Sequence, residues 1–183
     1  MADGVGEAMA RAFASDVLAG LLLEGGALDS AQEHCVRALG LYRDVGYREG
    51  EASALQRRGD IAQDRGAVAE AVTSYADAFT VASQLGHPRA MAQAVESLAG
   101  AAADRAPESA AVLLGAAAAM RAEIGATPSP AAIRSRDRCA DALRSRLGAA
   151  TFTEAWTTGR QLRPVRALQV TRRFLDQLSD GSR

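Results

Sequence analysis

The sequence predicts an all-α protein, a solenoid-like stack of about three helix pairs closed by further helices at its C-terminal end. Three observations carry this reading: the chain matches itself at a shift of 40 residues, small residues recur at helical spacing between glycine-marked breaks, and alanine dominates the composition. There are 42 alanines in 183 residues and only 4% aromatics. Close approach of helix axes, rather than bulky side chains, must therefore build much of the core.

The repeat is read directly. Val45-Gly46-Tyr47-Arg48 falls on Leu85-Gly86-His87-Pro88, and Glu51-Ala52-Ser53-Ala54-Leu55 falls on Met91-Ala92-Gln93-Ala94-Val95. Gly26, Ala31, Ala38 and Leu39 match Gly66, Ala71, Ala78 and Phe79, and the alanines continue to Ala111 and Ala118. The units are 5–46, 47–86 and 87–126, followed by a basic segment, 127–183, within one domain by length. In the middle unit Ala52, Leu55, Gly59 and Ala62 mark a first helix, Arg65-Gly66 breaks it, and Ala71, Tyr75, Ala78, Phe79 and Ala82 mark a second that Leu85-Gly86 closes. Ala71 and Ala78 share one face, with Tyr75 between them to fill a neighbouring groove.

The later elements follow from local signals. Thr127-Pro128-Ser129-Pro130 reads as a turn with a capping serine and a helix-starting proline. The helix it opens carries Ile133, Cys139, Leu143 and Leu147 on one side, and Leu147-Gly148 ends it. A short helix over 151–162 clusters Phe152, Ala155, Trp156 and Gly159. A last one starts at Pro164 with Val165, Leu168, Phe174, Leu175 and Leu178. Together these read as the cap that covers the final repeat's apolar face.

The middle unit, through Leu55, Gly59, Gly66, Ala71, Tyr75 and Ala78, resembles the tetratricopeptide repeat, which implies a right-handed superhelix of helix–turn–helix units. The likeness is looser over 12–45, where Ser15 stands at the opening aromatic's place, and loosest over 92–125, where the turn is Ala106-Pro107. A period of 40 implies longer helices than the family's usual 34. A second resemblance covers the C-terminal third. The run Ala110 to Ala117, then Arg121-Ala122-Glu123-Ile124-Gly125-Ala126, Leu147-Gly148, Phe152, Ala155-Trp156 and Gly159-Arg160 is similar to the far C-terminus of actinomycete ATP-dependent transcriptional regulators of the LuxR and antibiotic-regulatory types. That resemblance implies a helical-repeat sensor, separated from its nucleotide-binding and DNA-binding domains or standing alone, with those other domains among its partners.

Charge and composition exclude several chemistries. All 21 basic residues are arginines, and no lysine occurs, so a P-loop, a pyridoxal Schiff base and a kinase phosphate lysine are all ruled out. The same bias is what a high-GC genome encodes. The net charge is −1, but 1–128 carries 10 arginines against 17 acids and 129–183 carries 11 against 5. The longest apolar run, 17–23, is too short to span a bilayer, and no signal peptide is read. Two cysteines with no close pair suit a reducing cytoplasm.

No catalytic set, metal site or cofactor is expected. His34 and Cys35 are adjacent and so point apart on a helix; Cys35 takes the aromatic's place between Ala31 and Ala38 as a packing thiol. His87 reads as a solvated turn residue, Asp60 and Asp64 as a surface pair, and Trp156 as a cap anchor. Binding is expected on the inner face of each first helix, through Phe13, Asp16 and Leu23, then Ser53, Gln56, Asp60 and Gln63, then Gln93, Glu96 and Gly100. This acidic, amide-rich groove lacks the lysine and asparagine of a carboxylate clamp and suits a basic or hydrogen-bonding protein segment, or a small effector. The alternative is nucleic-acid binding through Arg134, Arg136, Arg138, Arg144 and Arg146, weakened by the interrupting Asp137 and Asp141 and by the absence of interleaved aromatics.

Overall fold

The computed structural model describes residues 2–125, 130–162 and 169, and all regular structure among them is helical. The 127–129 turn and the last helix expected from Pro164 lie outside the described residues. The chain divides into two compact units, Met1–Leu85 and Gly86–Arg183.

The first unit holds α1 (Ala2–Glu24), α2 (Leu28–Asp44), α3 (Arg48–Asp64) and α4 (Val68–Gln84). Three-residue links join them, and each link has a glycine in the left-handed region: Gly26 at φ 75°, Gly46 at 70° and Gly66 at 73°. At these turns the glycine N–H and the next N–H reach back to the last turn of the helix. Gly66 N donates to the Gln63 carbonyl at 2.9 Å, and Ala67 N donates to the Ala62 carbonyl at 2.8 Å. This pattern satisfies the carbonyls of an ending helix and needs a residue without a Cβ. Gly26, Gly46, Gly66 and Gly86 fall every 20 residues, and α2, α3 and α4 are each 17 residues long. The 40-residue period is thus two equal beats of 20 in this unit.

Consecutive helices pack as pairs, α1 with α2 and α3 with α4, and α2 also packs on α3. Tyr42, Leu55, Ile61, Tyr75 and Phe79 are fully buried, each contributing roughly 1.5–3 kcal/mol of apolar burial. The tyrosines lie against glycines. A Cβ on Gly50 would meet the rings of Tyr42 and Tyr47, and one on Gly59 would collide with the Tyr75 ring. Gly59 is where the first helix must be small so that the aromatic of the second can enter.

The second unit holds α5 (Pro88–Ala102), α6 (Pro107–Ile124), α7 (Pro130–Leu147) and α8 (Ala149–Arg160). Three of these helices open on proline, whose fixed φ suits the first helical position and whose missing N–H costs nothing there. α6 is the hub, packed by α5, α7 and α8. α8 lies on α6 backbone to backbone. A Cβ on Gly115 would run into the Trp156 carbonyl, and one on Gly159 into the Val112 carbonyl.

Two expectations are corrected here. The alanine series 31/38, 71/78, 111/118 is buried at every member except Ala118, which is half-buried. On α6 the close contact has moved to Gly115, because α8 crosses there. Trp156 is half-buried, and its ring lies under the Arg160 guanidinium 5.0 Å away. The buried anchor of α8 is instead Phe152.

Candidate functional site

In the first unit α3 presents Ser53, Gln56, Arg57, Asp60 and Gln63 along one side, at spacings of three and four residues that put them on a common stripe. Two linked polar clusters form on it. Arg57 Nε donates to Asp16 Oδ1 at 2.9 Å, and Ser53 Oγ donates to Asp16 Oδ2 at 3.3 Å. Asp16 thereby has both oxygens bound by α3. The Arg57 guanidinium lies directly over Gly20, where a Cβ would meet Nη1 at 2.5 Å. Asp16 was expected on an exposed face, but its residue is only 8% exposed. The glycine one turn along α1 lets an arginine reach across and bury it.

The second cluster centres on Asp60. Tyr75 reaches from α4 and donates its hydroxyl to Asp60 Oδ1 at 2.9 Å, with Gln63 Oε1 at 3.0 Å as the alternative acceptor. Gln56 Nε2 donates to the same Asp60 oxygen at 3.2 Å. Burial pushes the Asp60 carboxyl above its usual range, opposed by the hydrogen bonds from Tyr75 and Gln56 and by the nearby Arg57 charge. Asp60 is therefore half-buried and tied to the aromatic of the next helix, whereas the sequence placed it with Asp64 on the surface; Asp64 is exposed. Beside this, Arg58 Nε donates to the Ser74 hydroxyl at 2.9 Å, and the guanidinium also faces Asp77.

The thiol below the network is inert. Cys35 is fully buried, and its Sγ donates to the Ala54 carbonyl at 3.2 Å. Burial, then the Asp16 charge, push its pKa to about 11, so the nucleophilic thiolate is suppressed at neutral pH. Tyr42 is likewise raised to about 12 by burial and the Asp16 charge. Among the described residues no cluster of three or more His, Cys, Asp or Glu could hold a metal ion.

What remains outward on this face is Phe13, Ser53 and Gln63, all exposed, with Gln56 half-buried. Leu23 is half-buried and packs against the cluster of Ala19, Ala31, Cys35 and Ile61. Phe13 stands on an aromatic group, its ring 5.7 Å from Tyr42 and 5.6 Å from Tyr47. The face thus offers one aromatic and several amide or hydroxyl groups, while its carboxylates are already bound within the protein.

In the second unit Glu96 is not free either. Arg121 from α6 grips it with two nitrogens, Nε to Oε1 at 2.5 Å and Nη2 to Oε2. Hydrogen bonding to Glu96 raises the arginine's pKa further against the cost of its burial. Gln93 is exposed and Gly100 half-buried. His87 is exposed in the turn before α5, as its Gly-His-Pro context indicated.

The basic helix α7 is largely neutralised in place. Arg136 pairs with Asp137, Arg144 pairs with Asp141 at 3.0 Å and covers the Phe152 ring at 4.6 Å, and Arg146 reaches Asp104 at 2.5 Å. Arg134 and Arg138 are exposed. A shallow concavity along α8, lined by Thr153, Glu154, Thr157 and Thr158 among others, was not anticipated from sequence. The Thr153 and Thr158 hydroxyls in it donate to carbonyls of their own helix, which leaves little to recognise a ligand.

Compared with protein-family models, curated proteins and solved structures, the chain has no match in any of the three. No helix among the described residues is long and apolar enough to cross a membrane.

Proposed function

We propose that this chain is a non-catalytic interaction module, a right-handed superhelix of tetratricopeptide type, that binds a protein segment on the α1–α3 face of its first unit. The observation that carries the reading is the α3 stripe. Its charged groups are consumed in holding α1, α3 and α4 together, while Phe13 and Gln63 stand exposed toward a partner. Such a surface recognises by apolar contact and hydrogen bonding, so the preferred ligand is an extended or helical segment with an apolar anchor and free backbone groups, rather than a strongly basic one. The C-terminal resemblance supports a setting in transcriptional control, as the sensor region of a regulator whose other domains receive the signal.

Selection of phage-displayed peptides on the immobilised chain, followed by calorimetry of the best peptide, tests the reading. Phe13→Ala and Gln63→Ala are each expected to weaken binding, by about tenfold for the aromatic. Peptides that ignore both substitutions, or tight and salt-steep binding of a DNA duplex, would overturn it.

A further inference from the structure

Four carboxylates among the described residues are withdrawn from full exposure: Asp16 and Glu51 are buried, Asp60 and Glu96 half-buried. Three of them are matched by arginine. Asp16 holds Arg57, Glu51 lies between Arg43 and Arg48, and Glu96 holds Arg121. Asp60 is the exception. No described residue forms an ion pair with it, and its hydrogen bonds come from neutral groups, the Tyr75 hydroxyl and the Gln56 amide. Both end on Oδ1, which leaves Oδ2 without a donor among the described residues.

The fold does not need a charge at this place. Tyr75 has Gln63 Oε1 as a second acceptor at 3.0 Å, so a neutral side chain at position 60 would leave the hydroxyl satisfied. A carboxylate drawn partly out of water is costly to ionise without a cation beside it, and burial raises the Asp60 pKa accordingly. The same loss of water strengthens its attraction for a cation that arrives. Arg57 and Asp64 act on it from the same helix with opposite signs, and the Arg57 guanidinium is already bound to Asp16. Asp60 also stands on the face assigned to partner binding, between the exposed Ser53 and Gln63.

We propose that Asp60 is the cation-receiving position of this face, pairing through Oδ2 with one lysine or arginine side chain of the bound segment. The proposal rests on the α1–α3 reading above and adds the charge that the partner must carry. Where that charge lies relative to the apolar anchor follows from helix geometry. Phe13 packs on Tyr47, thirteen residues before Asp60, and Asp16, one turn after Phe13, is bound to Ser53, seven residues before Asp60. At about 1.5 Å per residue the separation along α3 is roughly 10–20 Å, which an extended segment covers in about three to six residues. One basic residue is enough, because the other withdrawn carboxylates are already matched within the protein.

A random-peptide phage library selected in parallel on the wild-type chain, on Asp60→Asn and on Asp64→Asn tests this. Wild type and Asp64→Asn are expected to enrich one lysine or arginine at that spacing from an aromatic or aliphatic anchor, and Asp60→Asn to enrich the anchor without it. In calorimetry of the best wild-type peptide, replacing the basic residue by citrulline should weaken binding to wild type by about tenfold and leave the affinity for Asp60→Asn unchanged. Circular dichroism checks the fold of the variant, in which Tyr75 keeps an acceptor; the citrulline comparison on wild type does not depend on it. Enriched peptides without a basic residue, indifference of wild type to citrulline, or a basic residue equally favoured by Asp60→Asn would each overturn the proposal while leaving the module reading intact. No enrichment on any of the three chains would overturn the module reading, and this proposal with it.

Discussion

Position 75 in α4 and position 115 in α6 are one repeat apart, and the two units use them in opposite ways. In the first unit the residue is Tyr75, a knob that enters the hollow over Gly59 and carries a hydroxyl to Asp60. In the second it is Gly115, itself the hollow, into which the backbone of α8 settles at Trp156. The same place in the repeat is thus filled by a side chain from within or by a helix from elsewhere in the unit. A repeat position specifies that a close contact occurs. What makes the contact depends on which helix comes next.

The sharpest way to break that contrast is to add one methyl to each glycine. Gly115→Ala presses a Cβ into a backbone carbonyl that cannot rotate away, so α8 must lift off α6. A loss of about 3 kcal/mol is expected in urea unfolding, with faster proteolysis beyond residue 147. Gly59→Ala meets an aromatic ring that can shift, and the gain in helix propensity offsets part of the strain. About 1 kcal/mol is expected, and equal losses at the two sites would show that the distinction between ring and backbone is unimportant.

A comparable but smaller effect is expected where charge, not shape, joins the helices. Arg57→Ala leaves the Asp16 carboxylate buried without its cation, at a cost of about 2 kcal/mol, since the arginine is partly solvated and Ser53 still donates. Arg57→Ala combined with Asp16→Asn should recover much of that loss in the same unfolding measurement. No recovery would mean that Arg57 acts by packing over Gly20 rather than by its charge.

The smallest effect is a pH dependence that belongs to the first unit alone. The Asp60 carboxyl is raised in the folded chain above its unfolded value, so the folded state holds this proton more tightly. Its contribution to stability is full below about pH 4 and is lost as pH rises through the folded value. Asp60→Asn keeps an acceptor for Tyr75 and removes the titration. The stability of the variant relative to wild type should therefore improve between about pH 4 and pH 7, followed by thermal melts. A difference that stays flat across that range would show that the tyrosine and Gln56 fully offset the burial.

Much of the fold was legible because its determinants are local. Gly46, Gly66 and Gly86 stop helices where only a residue without Cβ can turn, and Pro88 and Pro107 start the next ones, so breaks and spacing could be read in order. The candidate face was legible only in part. Helical spacing placed Ser53, Gln56, Asp60 and Gln63 together, but Arg57, the residue that organises them, was passed over, and Asp16 was set outward. The signal that could have found the pair was Gly20, a gap on α1 in reach of an arginine one repeat on. The contacts of Glu96 with Arg121 and of Arg146 with Asp104 had no such signal, because they join residues 25 and 42 apart.

By itself the sequence determined that this chain is helical, where its helices turn, and that alanine and glycine bring them close, since turn chemistry and periodicity act within a few residues. Tertiary structure decided which carboxylates are buried and already bound, that α8 lies on Gly115, and that Leu21 of α1 stays exposed while Ile61, one repeat on in α3, is buried. Those outcomes depend on which helix arrives at a given face. A residue's spacing along its own helix fixes the face but not the neighbour.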